Sequence, residues 1–124
     1  MDSLDNYYHF IAEEGIPMSL MNPGSNEIAI IAKKSLIAIE MLKKISVPIV
    51  GGDIVTKDEK GELSYAFHDW GESYVYLNFY CNEEKGESKE SYVNRSYEVA
   101  KKGILEAVKV ARKLGKECYI VLVI

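Results

Sequence analysis

The sequence has few of the residues that carry catalysis or bind metal ions. Its 124 residues include only 2 His and 2 Cys. Cys81 and Cys118 stand in separate apolar runs, where free thiols usually serve as small buried side chains, so we expect no disulfide. His9 and His68 are far apart, and no phosphate-binding loop is present. We therefore expect no cofactor and no metal site.

A long apolar run and a basic leader are also missing. No stretch approaches the roughly 20 apolar residues that span a bilayer. The first residues, Met1 to Tyr8, have neither the positive charge nor the apolar centre of a signal peptide. A hydrophobic fraction of 48% with 3 Pro is typical of an ordinary globular protein. We expect one domain over residues 1–124, cytoplasmic and without membrane contact.

Positive charge is scarce in two regions. Residues 1–32 contain no Lys or Arg, and residues 51–90 hold ten Asp and Glu residues against four Lys. Because phosphate binding needs clustered Lys and Arg, nucleic acid is not expected as the partner. The charge distribution favours a basic protein surface instead. The alternative is that these charges only keep turns and helix faces solvated.

Apolar periodicity predicts three helices, over about residues 3–14, 33–45 and 88–114. Ser3 and Ser88 stand where N-caps are expected, and Gly115 follows the last helix as a stop. That helix would be about 40 Å long, enough to cross a sheet.

Apolar and alternating segments predict five strands, at residues 27–32, 47–56, 62–68, 74–81 and 118–124. Residues 16–25 are predicted to be a loop. In the fourth strand, the alternation would turn Val75, Leu77, Phe79 and Cys81 to the core and Tyr74, Tyr76, Asn78 and Tyr80 outward. The last strand is an unbroken apolar run and is placed centrally. The predicted fold is α+β, a mixed sheet of about five strands with helices mainly on one face, in the order α-β-α-β-β-β-α-β.

Glycines mark two places of close packing. Gly51 and Gly52 precede Asp53 inside a strand, and no helix N-terminus or basic residue accompanies them as a phosphate cradle requires. A bulge or a close backbone approach is the better interpretation. Gly103, inside the long helix, costs about 1 kcal/mol relative to alanine unless close packing uses the missing side chain.

The segment from residue 47 to 81 carries the candidate partner-binding residues. They are Asp53, Asp69, Trp70, Glu72, Tyr74 and Tyr76. Tryptophan and tyrosine are the usual anchors of protein interfaces, and the carboxylates suit a basic partner. Alternatively, Trp70 plugs the edge of the core and the tyrosines form the seat of the long helix.

A catalytic interpretation rests on His68. A small hydrolase or transferase would use it with Asp69 or Asp53, but neighbouring strand residues face opposite sides and cannot pair without a bulge. Asp53, Asp69 and Glu72 have oxygen ligands for a divalent cation, yet their spacing matches no known binding loop.

Several short motifs occur in a characteristic order. They are Glu27-Ile28-Ala29, Ala38-Ile39-Glu40 with Leu42, Ile49 to Ile54, Tyr65 to Trp70, Gly86-Glu87-Ser88, Tyr92-Val93, Arg95-Ser96 and Ala100. Between about residues 27 and 114 the chain thereby resembles the immunity protein 40 family of bacterial polymorphic-toxin and contact-dependent-inhibition systems. The resemblance implies a non-enzymatic cytoplasmic antidote that binds one toxin domain delivered by a sibling cell. It also places Asp53, Asp69 and Trp70 at the positions of the family's signature.

The sequence thus predicts stoichiometric inhibition of a toxin by occlusion. Acidic groups would meet a basic toxin surface, and aromatic anchors would supply buried area. A nuclease toxin, whose active site must attract phosphate, would explain the acidity. A structural adaptor without a toxin partner is a third interpretation, beside the enzyme.

Overall fold

The structure, a computed structural model, describes residues 3–124. Met1 and Asp2, which begin the segment predicted not to be a signal peptide, lie outside the described residues. The helices are α1 (Leu4–Glu14), α2 (Ala32–Lys44), α3 (Ala66–Asp69) and α4 (Lys89–Leu114). The strands are β1 (Ile16–Pro17), β2 (Ile28–Ile31), β3 (Gly51–Lys57), β4 (Leu63–Tyr65), β5 (Phe79–Tyr80) and β6 (Tyr119–Val123). Met18–Leu20 and Glu72–Leu77 form 3₁₀ helices.

The strands form a six-stranded sheet of order β1-β2-β6-β3-β4, in which β5 also pairs with β3. The α+β class and the central position of the last strand are confirmed. Every strand pair in residues 3–124 is antiparallel. The strands β2 and β3 run in the same direction, but β6 inserts between them. The sheet therefore lacks the parallel neighbours that the word "mixed" implied.

Helices cover one face of the sheet, as predicted. Tyr7 of α1, Leu42 of α2 and Ile104 of α4 pack with Ile54 and Ile120 of the sheet in one core, and each is at most 2% exposed. Burial of these large apolar side chains is the main stabilising contribution of the helices.

The opposite face is covered only in part. The first 3₁₀ helix places Met18, 1% exposed, over Val55 and Val121. Tyr65 closes this smaller cluster, and its hydroxyl accepts a hydrogen bond from Asn22 Nδ2 at 3.0 Å. The rest of this face, toward β5, is more open, and Tyr80 there is 70% exposed.

The predicted ends of the first and last helices are confirmed. Ser3 Oγ accepts from the Asn6 N–H and Ser88 Oγ from the Ser91 N–H, both at 3.1 Å. Gly115 takes the left-handed conformation, with φ 68°, that terminates α4. These local signals are readable from sequence because the capping side chain and its helix are neighbours in the chain.

The predicted fourth strand, residues 74–81, is wrong over most of its length. Gly71, with φ 127°, turns the chain into the 3₁₀ helix Glu72–Leu77, in which the Tyr74 N–H donates to the Gly71 carbonyl at 3.0 Å. Only Phe79–Tyr80 pair as a strand. Val75, expected in the core, is consequently 52% exposed.

The predicted third strand, residues 62–68, is too long. β4 ends at Tyr65, and α3 follows at once, so that His68 and Asp69 belong to one helical turn rather than to opposite strand faces. The predicted loop at residues 16–25 contains β1, which adds a sixth strand at the sheet edge. Pro17 suits that edge position because it has no N–H to donate.

Candidate binding surface

Gly52 and Gly103 make room for the ring of Phe79. A Cβ on Gly52 would lie 2.3 Å from Phe79 Cζ, and a Cβ on Gly103 would lie 2.5 Å from Phe79 Cδ2. Gly51 is equally constrained, because its Cβ would lie 2.7 Å from the Phe79 carbonyl oxygen. The predicted close approach at these glycines is confirmed. Their role is to let β5 and α4 pack tightly against β3.

Arg95 of α4 fixes the loop that follows β5. Its guanidinium donates to the Glu87 carboxylate at 2.9 and 2.7 Å, to the Asn82 carbonyl at 2.6 Å and to Cys81 Sγ at 3.0 Å. The hydrogen bonds from Arg95, helped by one from the backbone of Glu84, lower the pKa of Glu87 to about 2. The motif residues Glu87 and Arg95 therefore have partners inside the chain.

Tyr92 and Ser96 act on the neighbouring segments. Tyr92 Oη donates to the Cys81 carbonyl at 2.7 Å. Ser96 Oγ accepts from the Ile49 N–H at 2.9 Å and donates to the Val93 carbonyl at 3.0 Å. Both side chains are buried. They fix α4 to the residues just before β3 and just after β5.

Five of the candidate residues lie together in α3, in the second 3₁₀ helix and at Trp70 between them. We call residues 66–77 the edge segment, because it follows the edge strand β4. The Trp70 and Tyr74 rings meet edge to face with centroids 6.2 Å apart, and Tyr74 and Tyr76 are 6.4 Å apart. Trp70 and Tyr74 are half-buried against the main core, whereas Glu72 and Tyr76 are exposed. Glu72 and Tyr76 are thus the members most accessible to a partner.

Asp69, the fifth of these residues, faces a lysine. Its Oδ2 lies 3.2 Å from Lys116 Nζ, and its side chain is only 15% exposed. Neither this oxygen nor Trp70 Nε1 makes a hydrogen bond within residues 3–124. The Asp69–Lys116 pair is accordingly a contact of opposite charges without hydrogen-bond alignment. Asp69 and Trp70 are therefore half-buried members of the edge segment, with contacts to Lys116 and to the main core.

Asp53 lies apart from the other candidates. Strand alternation places it on the face of Val55, opposite to the helix-covered face of Ile54. It is half-buried, and its side chain makes no hydrogen bond or ion pair within residues 3–124. Burial raises the pKa of Asp53. The structure therefore gathers five of the six candidates and leaves the sixth on the other side of the sheet.

Two further exposed residues were not among the candidates named from the sequence. Tyr80 is 70% exposed and Val75 is 52% exposed. Strand alternation already turned Tyr80 outward, so its pattern held the signal, whereas the exposure of Val75 depends on the 3₁₀ helix. Between the edge segment and α4 the structure also opens an apolar groove of about 440 Å³. Its lining is Tyr76, Leu77, Phe79, Val99, Lys102, Gly103 and Glu106.

Among the described residues, no carboxylate pairs with His68 as a general base would require. The centroid of the His68 ring lies 5.8 Å from that of Tyr65 and 4.3 Å from that of Phe67, while the neighbouring Asp69 faces Lys116. Within residues 3–124 no three His, Cys, Asp or Glu side chains are grouped so as to hold a metal ion. No helix of the described chain is long and apolar enough to cross a membrane. What these residues offer is a surface of exposed aromatic and acidic side chains.

Comparison with protein families gives a match over most of the chain. The family model described as immunity protein 40 matches residues 18–124. The matched range includes the α4 contacts, the edge segment and Asp53. No curated protein and no solved structure matches the chain.

Proposed function

The chain belongs to the immunity protein 40 family, and from this premise we propose that it is a non-enzymatic bacterial antidote that binds and occludes a cognate toxin domain. Its place of action is the cytoplasm of a cell that receives the toxin from a sibling. The toxin belongs to a polymorphic-toxin or contact-dependent-inhibition system.

The proposed contact surface is the exposed part of the edge segment together with β5. The observation that supports it is the exposure of large side chains there: Val75 at 52%, Tyr76 at 61% and Tyr80 at 70%. Exposed aromatic and aliphatic side chains in one region mark protein contacts more often than chance, and tyrosine is a common energetic anchor. Trp70 and Tyr74 are half-buried behind this surface and would keep it rigid when the toxin binds.

Charge supports a basic toxin surface. Glu72 is exposed on the edge segment, and residues 51–90 as a whole carry ten acidic groups against four lysines. Complementary charge would speed the encounter and select against acidic partners. A nuclease, which must attract phosphate, presents such a surface, so a nuclease domain is the toxin class we propose.

Co-expression with the toxin domain of a polymorphic-toxin gene that neighbours this chain's gene would test the function. The chain should restore growth and should bind the purified domain one to one. Glu72→Lys combined with Tyr76→Ala should weaken binding at least about 30-fold, since an exposed anchor and a favourable charge are both lost. Glu13→Lys is the matched charge reversal on α1, which packs over β2 at the other end of the sheet, and it should bind normally.

The outcomes separate the parts of the proposal. If the unaltered chain neither binds nor protects, the antidote function is contradicted. Binding without protection would favour the structural adaptor. If the chain protects but the double variant binds as tightly as the unaltered protein, the function stands and the edge segment is not the contact surface.

A further inference from the structure

The sheet has a gap beside Asp53. β4 pairs only with residues 55–57 of β3, and β5 pairs only with residues 51–52. Within the described part of the chain, residues 53–54 therefore have no strand partner on that side. The Ile54 N–H, which would otherwise bond a neighbouring strand, donates to Asn78 Oδ1 at 2.9 Å. This side-chain bond satisfies the Ile54 N–H at a point where neither β4 nor β5 continues the sheet beside β3.

Two tyrosines flank this gap on the face to which Asp53 points. Tyr80 lies opposite Gly51, and Tyr65 lies opposite Val55. Each is thus a diagonal neighbour of Asp53 on the same face, at a Cα separation of about 7–8 Å that a ring can span. We call Asp53, Tyr65 and Tyr80 the notch. Its aromatic walls are unequal, since Tyr65 packs in the smaller cluster while Tyr80 is 70% exposed.

Among residues 3–124, no Lys, Arg or His side chain forms an ion pair with the Asp53 carboxylate. The residue opposite Asp53 on β6 is Val121, an apolar residue that is 1% exposed. The lysine of β3 on the same face, Lys57, lies with its Nζ 5.6 Å from the centroid of the Tyr119 ring. Burial without compensation disfavours the ionised form of Asp53, and the raised pKa of this group agrees with that cost. A cation brought in from outside would remove the cost.

We propose that the notch receives a single arginine or lysine side chain of the toxin domain, paired with Asp53 and lying on the ring of Tyr80. This inference rests on the proposed function and adds the chemistry of one contact to it. A carboxylate beside an open aromatic face attracts a cation through both an ion pair and the ring quadrupole. Arginine fits best, because its planar guanidinium can stack on the ring while donating two hydrogen bonds to the carboxylate.

Titration of the purified toxin domain with Asp53→Asn tests the ion pair. This change keeps the shape of the side chain and removes its charge. Affinity should fall about 10- to 100-fold, the range for loss of a charge-assisted hydrogen bond. The melting temperature should stay equal or rise, since a desolvated charge is removed. Asp5→Asn, the same change on α1, controls for net charge and should leave affinity within about twofold.

The cation is then located from the toxin side. Each surface Arg and Lys of the toxin domain is changed to Ala and titrated against both the unaltered chain and Asp53→Asn. One of these variants should weaken binding to the unaltered chain and have little further effect on Asp53→Asn, because the two changes remove the same interaction. Tyr80→Leu should weaken binding about 3- to 30-fold and couple to the same toxin residue.

Two results would overturn the inference. In the first, the unaltered chain neutralises the toxin, and Asp53→Asn binds the same toxin with unchanged affinity. In the second, its affinity falls but no basic residue of the toxin couples to it. In both cases the antidote function stands and only the notch assignment fails. A chain that binds no toxin would instead remove the function and the notch together.

Discussion

Replacing Gly103 by alanine tests how α4 packs on the sheet. On an isolated helix this change would stabilise by about 1 kcal/mol, because glycine is a poor helix former. In this fold the new Cβ would lie 2.5, 2.9 and 3.2 Å from Cδ2, Cγ and Cβ of Phe79. The ring is 8% exposed, and its far end already touches the Gly52 backbone position, so it has little freedom to retreat.

The expected result is therefore a net loss. Overpacking a rigid core costs about 1–3 kcal/mol, against a gain in helix propensity of about 1 kcal/mol. We expect the free energy of unfolding to fall by up to about 2 kcal/mol, corresponding to a melting temperature lower by up to roughly 8 °C for a chain of this size. Urea unfolding followed by circular dichroism measures it, provided that the slope m is unchanged.

Phe79→Ala supplies the internal control, because it removes Cγ and the ring and leaves only Cβ, which lies 3.2 Å from the new methyl position. The Cβ of Gly103→Ala then has space, so the same glycine change should become neutral or stabilising in the Phe79→Ala background. A reversal of sign of this kind is the signature of a direct contact between the two sites. The packing argument is refuted if Gly103→Ala stabilises the unaltered protein, or if its effect is the same in both backgrounds.

Four further predictions concern stability and chemistry. Glu87→Gln should lower the free energy of unfolding by its full amount above about pH 4.5 and by progressively less as the pH falls toward about 2, because the pKa of Glu87 is lowered in the fold. A difference in unfolding free energy between the variant and the unaltered protein that does not change with pH would contradict the Arg95 pairing. Deleting residues 118–124 removes β6 from between β2 and β3 and should abolish cooperative unfolding, so a truncated chain that still melts sharply would contradict the sheet order. Trp70→Ala should lower the free energy of unfolding by about 1–3 kcal/mol, since the ring packs half-buried on the core, and an unchanged melting temperature would place it outside the core. His68→Ala should leave both stability and toxin binding unchanged, and hydrolysis of an ester or phosphate that depends on His68 would instead revive the enzyme.

The sequence predicts those parts of the fold whose signals are local. Ser88 and Gly115 bound α4 through contacts within a few residues, and the unbroken apolar run of β6 can only be a strand covered on both faces. Helix ends and the central strand were therefore predictable without knowledge of the tertiary structure.

The edge segment was not predictable in the same way. Its alternating tyrosines are typical of a strand, but its conformation is decided by the positive φ of Gly71 and by the hydrogen bond that Asn78 Oδ1 accepts from the Ile54 N–H. Both depend on where β3 lies in space. The notch around Asp53 has the same origin, because it exists only where β4 and β5 are too short to meet.

Hydrogen–deuterium exchange on the chain with and without its toxin domain tests most directly that the toxin binds at this edge of the sheet. Amides in residues 66–80 and in the middle of β3 should exchange more slowly in the complex. Amides of α1, which packs on β2 at the opposite end of the sheet, and of α2, which packs between α1 and α4, should be unaffected. Slowed exchange confined to α1 and α2, with none in residues 66–80, would contradict the account.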